Sequence, residues 1–158
     1  CFWASYINGP ADKSFYFLGG SRPKESMWMQ LCTQAHDDES TVRAHDDDFK
    51  LTWLEGSRDS LFKNFSRMRY AKPLCYGNFE NLVYILMFKP EAGIRLTHSP
   101  SGGGFNKDFN TTNPAWDWQF IVPKYDVMQE YGYHARAVLR PRCSREEILD
   151  EYEKWTNE

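Results

Sequence analysis

The residues best suited to chemistry in this sequence lie in its second half. In Asn113-Pro114-Ala115-Trp116-Asp117-Trp118-Gln119-Phe120, a period of two puts Trp116, Trp118 and Phe120 on one side of a strand and Asp117 and Gln119 on the other. Such an indole strip can stack on the apolar face of a sugar ring, while a carboxylate and an amide pair with its hydroxyls. The same indoles would serve equally well as core. A second alternating run, Tyr131 to Leu139, carries His134 and Arg136 on its polar side. A neighbouring strand of that kind would add an imidazole and a guanidinium to Asp117 and Gln119. Those types suit acid–base work, because imidazole titrates near neutrality and burial raises a carboxylate toward it. In Ile94-Arg95-Leu96-Thr97-His98 the parity sets Arg95 on the face opposite His98. An arginine among apolar neighbours must reach solvent along its stem or meet an acceptor such as a carboxylate. The candidate catalytic residues are therefore His98, Asp117 and His134, with Arg95, Trp116, Trp118, Gln119 and Arg136 as ligand contacts.

Other chemistries fit less well. Ser99 and Ser101 follow His98, but no G-x-S-x-G elbow is present, and neighbours in sequence do not make a catalytic pair. The glycines Gly102, Gly103 and Gly104 lack the lysine and following helix of a phosphate loop. They read as a long glycine-rich loop, of the kind that is often functional. His36-Asp37-Asp38-Glu39 and His45-Asp46-Asp47-Asp48 offer donors for calcium or zinc. Neither block matches a calcium-binding hand or an H-E-x-x-H helix, so both read as a solvated acidic loop, with no metal and no cofactor expected.

The elements that must position these residues are mostly strands. Phe2 to Ile7 and Ser14 to Leu18, joined through the turn Asn8-Gly9-Pro10, read as a hairpin-like pair, and Trp28 to Thr33 as a third strand. Gln34 to Asp48 reads as a long exposed loop or edge, Phe49 to Leu54 as a strand, and Asp59 to Met68 as an extended loop or a helical turn. Asn81 to Phe88 is apolar on both parities and predicts a strand covered on both faces, at the centre of the sheet. Ile94 to His98 predicts a half-buried strand pairing antiparallel with it across the short turn at Lys89 to Gly93. Ala115 to Val122 and Tyr131 to Leu139 complete the set. Ser144-Arg145-Glu146-Glu147 is a capping box opening a helix over about 144–156, whose apolar face is Ile148, Leu149, Tyr152 and Trp155. The fold class is mainly β, an antiparallel β-sandwich with one C-terminal α-helix, in a single domain spanning 1–158.

Composition narrows the partners. A net charge of −3 and no basic block argue against nucleic acid. The longest apolar run, Leu82 to Phe88, is too short to span a bilayer. Cys1, Cys32, Cys75 and Cys143 are scattered, without metal or redox spacing, and are expected as buried thiols. The sequons at Asn64 and Asn110 would matter only in a secreted protein, and compartment is not fixed. Because residue 1 already lies in a strand-like run, the chain reads as a processed or truncated piece.

The stretches from Phe2 to Ser14, Thr97 to Gly104 (T-H-S-P-S-G-G-G) and Asn113 to Gln119 (N-P-A-W-D-W-Q) resemble microbial proteins of the galactose-mutarotase-like β-supersandwich type. The resemblance covers most of this chain and the C-terminal part of such a fold. It implies a sugar-facing concave sheet on which histidine and carboxylate do acid–base chemistry, although the spaced catalytic histidines of that pattern are absent here. The expectation is a carbohydrate-binding or carbohydrate-processing β-sandwich taking a saccharide or other small polar ligand. The alternative is a non-catalytic interaction module that completes its sheet by self-association or with a partner chain.

Overall fold

The structure is a computed structural model and describes residues 1–7, 12–20, 26–35, 38–52, 64–100 and 113–158. Its strands are β1 (Phe2–Trp3), β2 (Phe15–Gly19), β3 (Met27–Leu31), β4 (Thr41–Ala44), β5 (Phe65–Phe79), β6 (Leu82–Phe88), β7 (Ile94–Ser99), β8 (Ala115–Phe120) and β9 (Ala135–Pro141). One helix, α1 (Arg145–Thr156), follows. The fold is mainly β with a C-terminal helix, as the strand-rich pattern predicts.

The sheet forks at β5. On one flank of this 15-residue strand lies β2. On the other, β4 pairs parallel with its first part and β6 antiparallel with its second. From β4 the sheet runs on through β7, β8 and β1, and from β6 it runs to β9. The ladder between β2 and β5 slips between Phe17↔Cys75 and Gly19↔Tyr70. Pro73, which has no N–H to give, lies in the slipped stretch, where its missing donor costs no ladder bond.

The two wings close on each other over one core. Leu86 and Phe88 of β6 meet Ile94 and Leu96 of β7 and Trp116, Trp118 and Phe120 of β8. The ring of Phe88 sits edge-on to Trp118 at 4.9 Å, and Tyr84 stacks with Trp116 at 6.2 Å. The opposite face of β6, Val83, Ile85 and Met87, buries Ile148, Tyr152 and Trp155 of α1. The helix begins as the sequence predicts: Glu147 N–H donates to Ser144 Oγ at 3.1 Å, and Ser144 N–H donates to the Glu147 carboxylate at 2.8 Å.

Several expectations need correction. β1 and β2 are not a hairpin: β1 pairs with β8, and β2 with β3 and β5. β6 and β7 do not pair either, because the turn between them crosses from one wing to the other. The supposed acidic loop contains β4, whose Thr41 and Val42 are fully buried between β5 and β7. Four residues between acidic blocks leave too little apolar signal to find such a strand. Residues 49–52 form no strand, and Phe65 opens the longest one. β7 is buried on both faces rather than half-buried. β9 starts at Ala135, after Tyr131 to His134. Of the four thiols only Cys75 is buried, while Cys1 and Cys32 are exposed. The Asn8–Pro10 turn, His36 and Asp37, the stretch 53–63 and the glycine-rich loop over 101–112 lie outside the described residues.

Candidate functional site

The β7–β8 pair holds most of the sequence-derived candidates and splits them between two faces. Register sets His98 opposite Trp116, Leu96 opposite Trp118, Thr97 opposite Asp117 and Arg95 opposite Gln119. Cross-strand partners share a face. His98, Trp116 and Trp118 therefore look into the core, and Arg95, Asp117 and Gln119 look away from it.

On the core face the candidates are locked in place. His98 Nδ1 lies 2.7 Å from Thr33 Oγ1 and its Nε2 lies 2.8 Å from the Lys13 carbonyl. Burial lowers the His98 pKa, with the Lys13 contact opposing, so the ring is held neutral. Trp116 donates its indole N–H to the same carbonyl at 3.1 Å, and its ring packs so closely on Gly77 that no Cβ fits there. Both tryptophans are core and offer no stacking platform. His98 ties the β3 end to β2 through two satisfied hydrogen bonds, a structural task.

The other face is polar yet equally buried. Asp117 is 3% exposed and accepts from the Ser5 amide at 3.2 Å. Burial pushes its pKa up to about 7, the Ser5 bond only partly offsetting this. Gln119 donates to Thr97 Oγ1 at 3.1 Å, and Thr97 shares a 2.9 Å contact with Thr41. Arg95 is fully buried and meets Asp47 with two bonds, Nε to Oδ2 at 2.6 Å and Nη2 to Oδ1 at 3.0 Å. Of its two expected options, solvent or a carboxylate, the arginine takes the second. Asp47, read from sequence as part of a solvated loop, is its buried counterion.

His134 and Arg136 do not join this group. β9 pairs with β6, on the far wing from Asp117 and Gln119. His134 is exposed, and Arg136 reaches Glu151 of α1 and Glu158 beyond its end, each at 3.9 Å. The expected quartet of acid, amide, imidazole and guanidinium is thus divided between wings. His98 and Asp117 face opposite sides of the sheet and cannot act on one ligand.

No family model, curated protein or solved structure matches the chain. Function must be read from the geometry.

A cleft of about 520 Å³ opens where the segment after β4 meets the turn before β7. Asp46, Asp47, Phe49 and His45 line it from the segment after β4, Glu91 from the turn before β7, and Tyr70 from β5. Gly93 shapes the turn: its φ is +85°, and an added Cβ would lie 2.1 Å from the Ile121 carbonyl. The Gly93 carbonyl accepts from Ile121 N–H at 3.0 Å, which anchors the rim to β8. Tyr70 donates to the Ile94 carbonyl at 2.6 Å, anchoring this part of β5 to β7.

Beside the Arg95–Asp47 pair runs a row of arginines. Arg69 of β5 is in register with Arg43 of β4, and Arg43 with Arg95 of β7. Arg69 Nη1 donates to the carbonyls of Ala44 and Asp47 at 3.1 and 3.0 Å. The Phe65 ring takes Arg43 at 4.1 Å and Arg95 at 5.0 Å from its centroid. Arg43 Nε and Arg95 Nη1 are buried with no hydrogen-bond partner. Sequence reasoning missed Arg43, Arg69, Asp46 and Glu91 as site residues. The alternation of Thr41-Val42-Arg43-Ala44 is the one signal that would have placed Arg43 on a polar face.

Proposed function

We propose that this chain is a saccharide-binding β module whose ligand sits in the cleft between Phe49 and Glu91. The observation that carries the proposal is that one cleft of about 520 Å³ is lined by the acidic residues Asp46 and Glu91 together with Phe49. That volume suits a small ligand, carboxylates accept from sugar hydroxyls, and an aromatic ring packs on the apolar face of a pyranose. The resemblance to mutarotase-like proteins supports the same ligand class. The role is binding rather than catalysis, since His98, Asp117 and His134 do not converge.

Titrating the labelled protein with a panel of neutral mono- and disaccharides, read by amide NMR, tests this. One sugar should shift amides of residues 44–49 and 91–93, and Glu91→Gln or Asp46→Asn should weaken it at least tenfold without lowering the melting temperature. Shifts confined to other surfaces, or none with any sugar, would sink the proposal.

A second reading, association along a sheet edge, is favoured by β1, an outer strand whose Phe2 and Trp3 are 48% and 58% exposed. Sedimentation over a wide concentration range checks it. A monomer throughout excludes self-association.

A further inference from the structure

From the arginine row we infer a second binding site, beside the cleft: the geometry points to a tetrahedral oxyanion, phosphate or sulfate, held between Arg43 and Arg95 near Phe65.

Three observations carry this. Like charges directly opposite one another on adjacent strands repel, yet Arg69, Arg43 and Arg95 stand in register across β5, β4 and β7. Among the described residues one carboxylate, Asp47, bonds to the row, and both its oxygens are taken by Arg95. Among the described residues, three guanidiniums thus share one bonded counterion.

The second observation is that two N–H donors are left without acceptors, Arg43 Nε and Arg95 Nη1. Buried donors are nearly always paired, and charged ones most of all. Both guanidiniums lie over the same ring, at 4.1 and 5.0 Å from its centroid, and their residues are directly opposite across β4 and β7. A planar carboxylate prefers the parallel fork that Asp47 already occupies on Arg95. Donors from two separate side chains suit a tetrahedral group better.

The third is access. Both unpaired donors are themselves shielded and Arg95 is sealed, but Arg43 as a whole is only partly buried, so an anion would have to enter along the Arg43 side chain. Burial, with repulsion from Arg69 and Arg95, lowers the Arg43 pKa, Asp47 opposing. A bound anion would relieve that repulsion. Since the chain carries a net charge of −3, anions are not drawn to it by its overall field, and any uptake must be local.

The test uses inorganic phosphate, inorganic sulfate and methyl phosphate, each against sodium chloride at matched ionic strength. Phosphate or sulfate should raise the melting temperature saturably, and should shift the Arg43 Nε–Hε resonance of the wild-type protein. Arg43→Gln should weaken binding at least tenfold. Arg67→Gln, at a guanidinium 94% exposed, should leave it unchanged. Equal binding of methyl phosphate would assign an esterified ligand, and its exclusion a free ion; either upholds the site. The inference is overturned if chloride stabilises as much as phosphate, if the Arg43 resonance does not move, or if both substitutions weaken binding equally. The resonance is read on the wild-type protein, so the outcome does not depend on Arg43→Gln folding.

Discussion

Replacing Asp117 with asparagine isolates the cost of burying a carboxyl on the polar face of β8. The side chain is 3% exposed, and its only bond among those described is from the Ser5 amide at 3.2 Å. Burial raises its pKa from 3.8 to about 7. Between these values the unfolded chain has lost the proton while the native chain keeps it. Stability is therefore full below about pH 4, falls as pH rises, and levels off above about pH 7. Each pH unit in that window removes about 1.4 kcal/mol, so the whole descent is of order 4 kcal/mol. His98 opposes it: its lowered pKa means the unfolded chain binds the extra proton, so its contribution is lost as pH falls below the ordinary value of 6.5. The wild-type profile mixes the two, and only a difference separates them.

Asparagine keeps the volume and the acceptor for Ser5 but never ionises. Any cost of its amide is constant with pH. Urea denaturation followed by tryptophan fluorescence, at pH 4 to 8 and fixed ionic strength, gives the difference directly. Asp117→Asn should gain on the wild type by several kcal/mol across that range, with most of the change between pH 4 and 7. A flat difference would show that Asp117 ionises normally in the native state, and would refute the argument from burial.

Asp47→Ala strands the fully buried Arg95 without its counterion and should cost about 3–5 kcal/mol in chemical denaturation. A loss below 1 kcal/mol would mean that water reaches the guanidinium. Gly77→Ala drives a methyl to 2.0 Å from the Trp116 ring and should destabilise by at least about 1–3 kcal/mol, with a change in near-ultraviolet circular dichroism. Ser144→Ala removes one half of the capping box and should cost about 1 kcal/mol, read as a lower melting temperature. Arg136→Ala breaks only long contacts of 3.9 Å on a partly exposed face, so stability should move by less than about 0.5 kcal/mol and saccharide binding not at all.

Local signals carried the parts of the fold that local physics controls. The capping box and apolar face of α1 were legible because a helix satisfies its bonds within itself and its period is written into consecutive residues. The two-sided burial of β6 was legible for a similar reason: seven residues without a polar gap have no solvent side. The separation of Arg95 from His98, and of Asp117 from Trp118, followed from the two-residue period alone.

Partnership was another matter, because a strand's own sequence states its two faces but not its two neighbours. Whether β6 turned back on β7 or crossed to the other wing was decided by packing: Leu86 and Phe88 had to meet Trp116 and Trp118 across the core rather than lie beside them. The same choice sent His134 and Arg136 to the far wing and dissolved the expected quartet. The sequence by itself thus determined the helix with its apolar face, the two-sided burial of β6, and which side chains of β7 and of β8 lie on opposite faces of their own strand, but not the strand at β4 or the burial of both faces of β7. Only the tertiary structure, through β4 inserted between β5 and β7, brought Arg43, Arg95 and Asp47 together from distant segments, since burial and pairing there depend on contacts that no local period encodes.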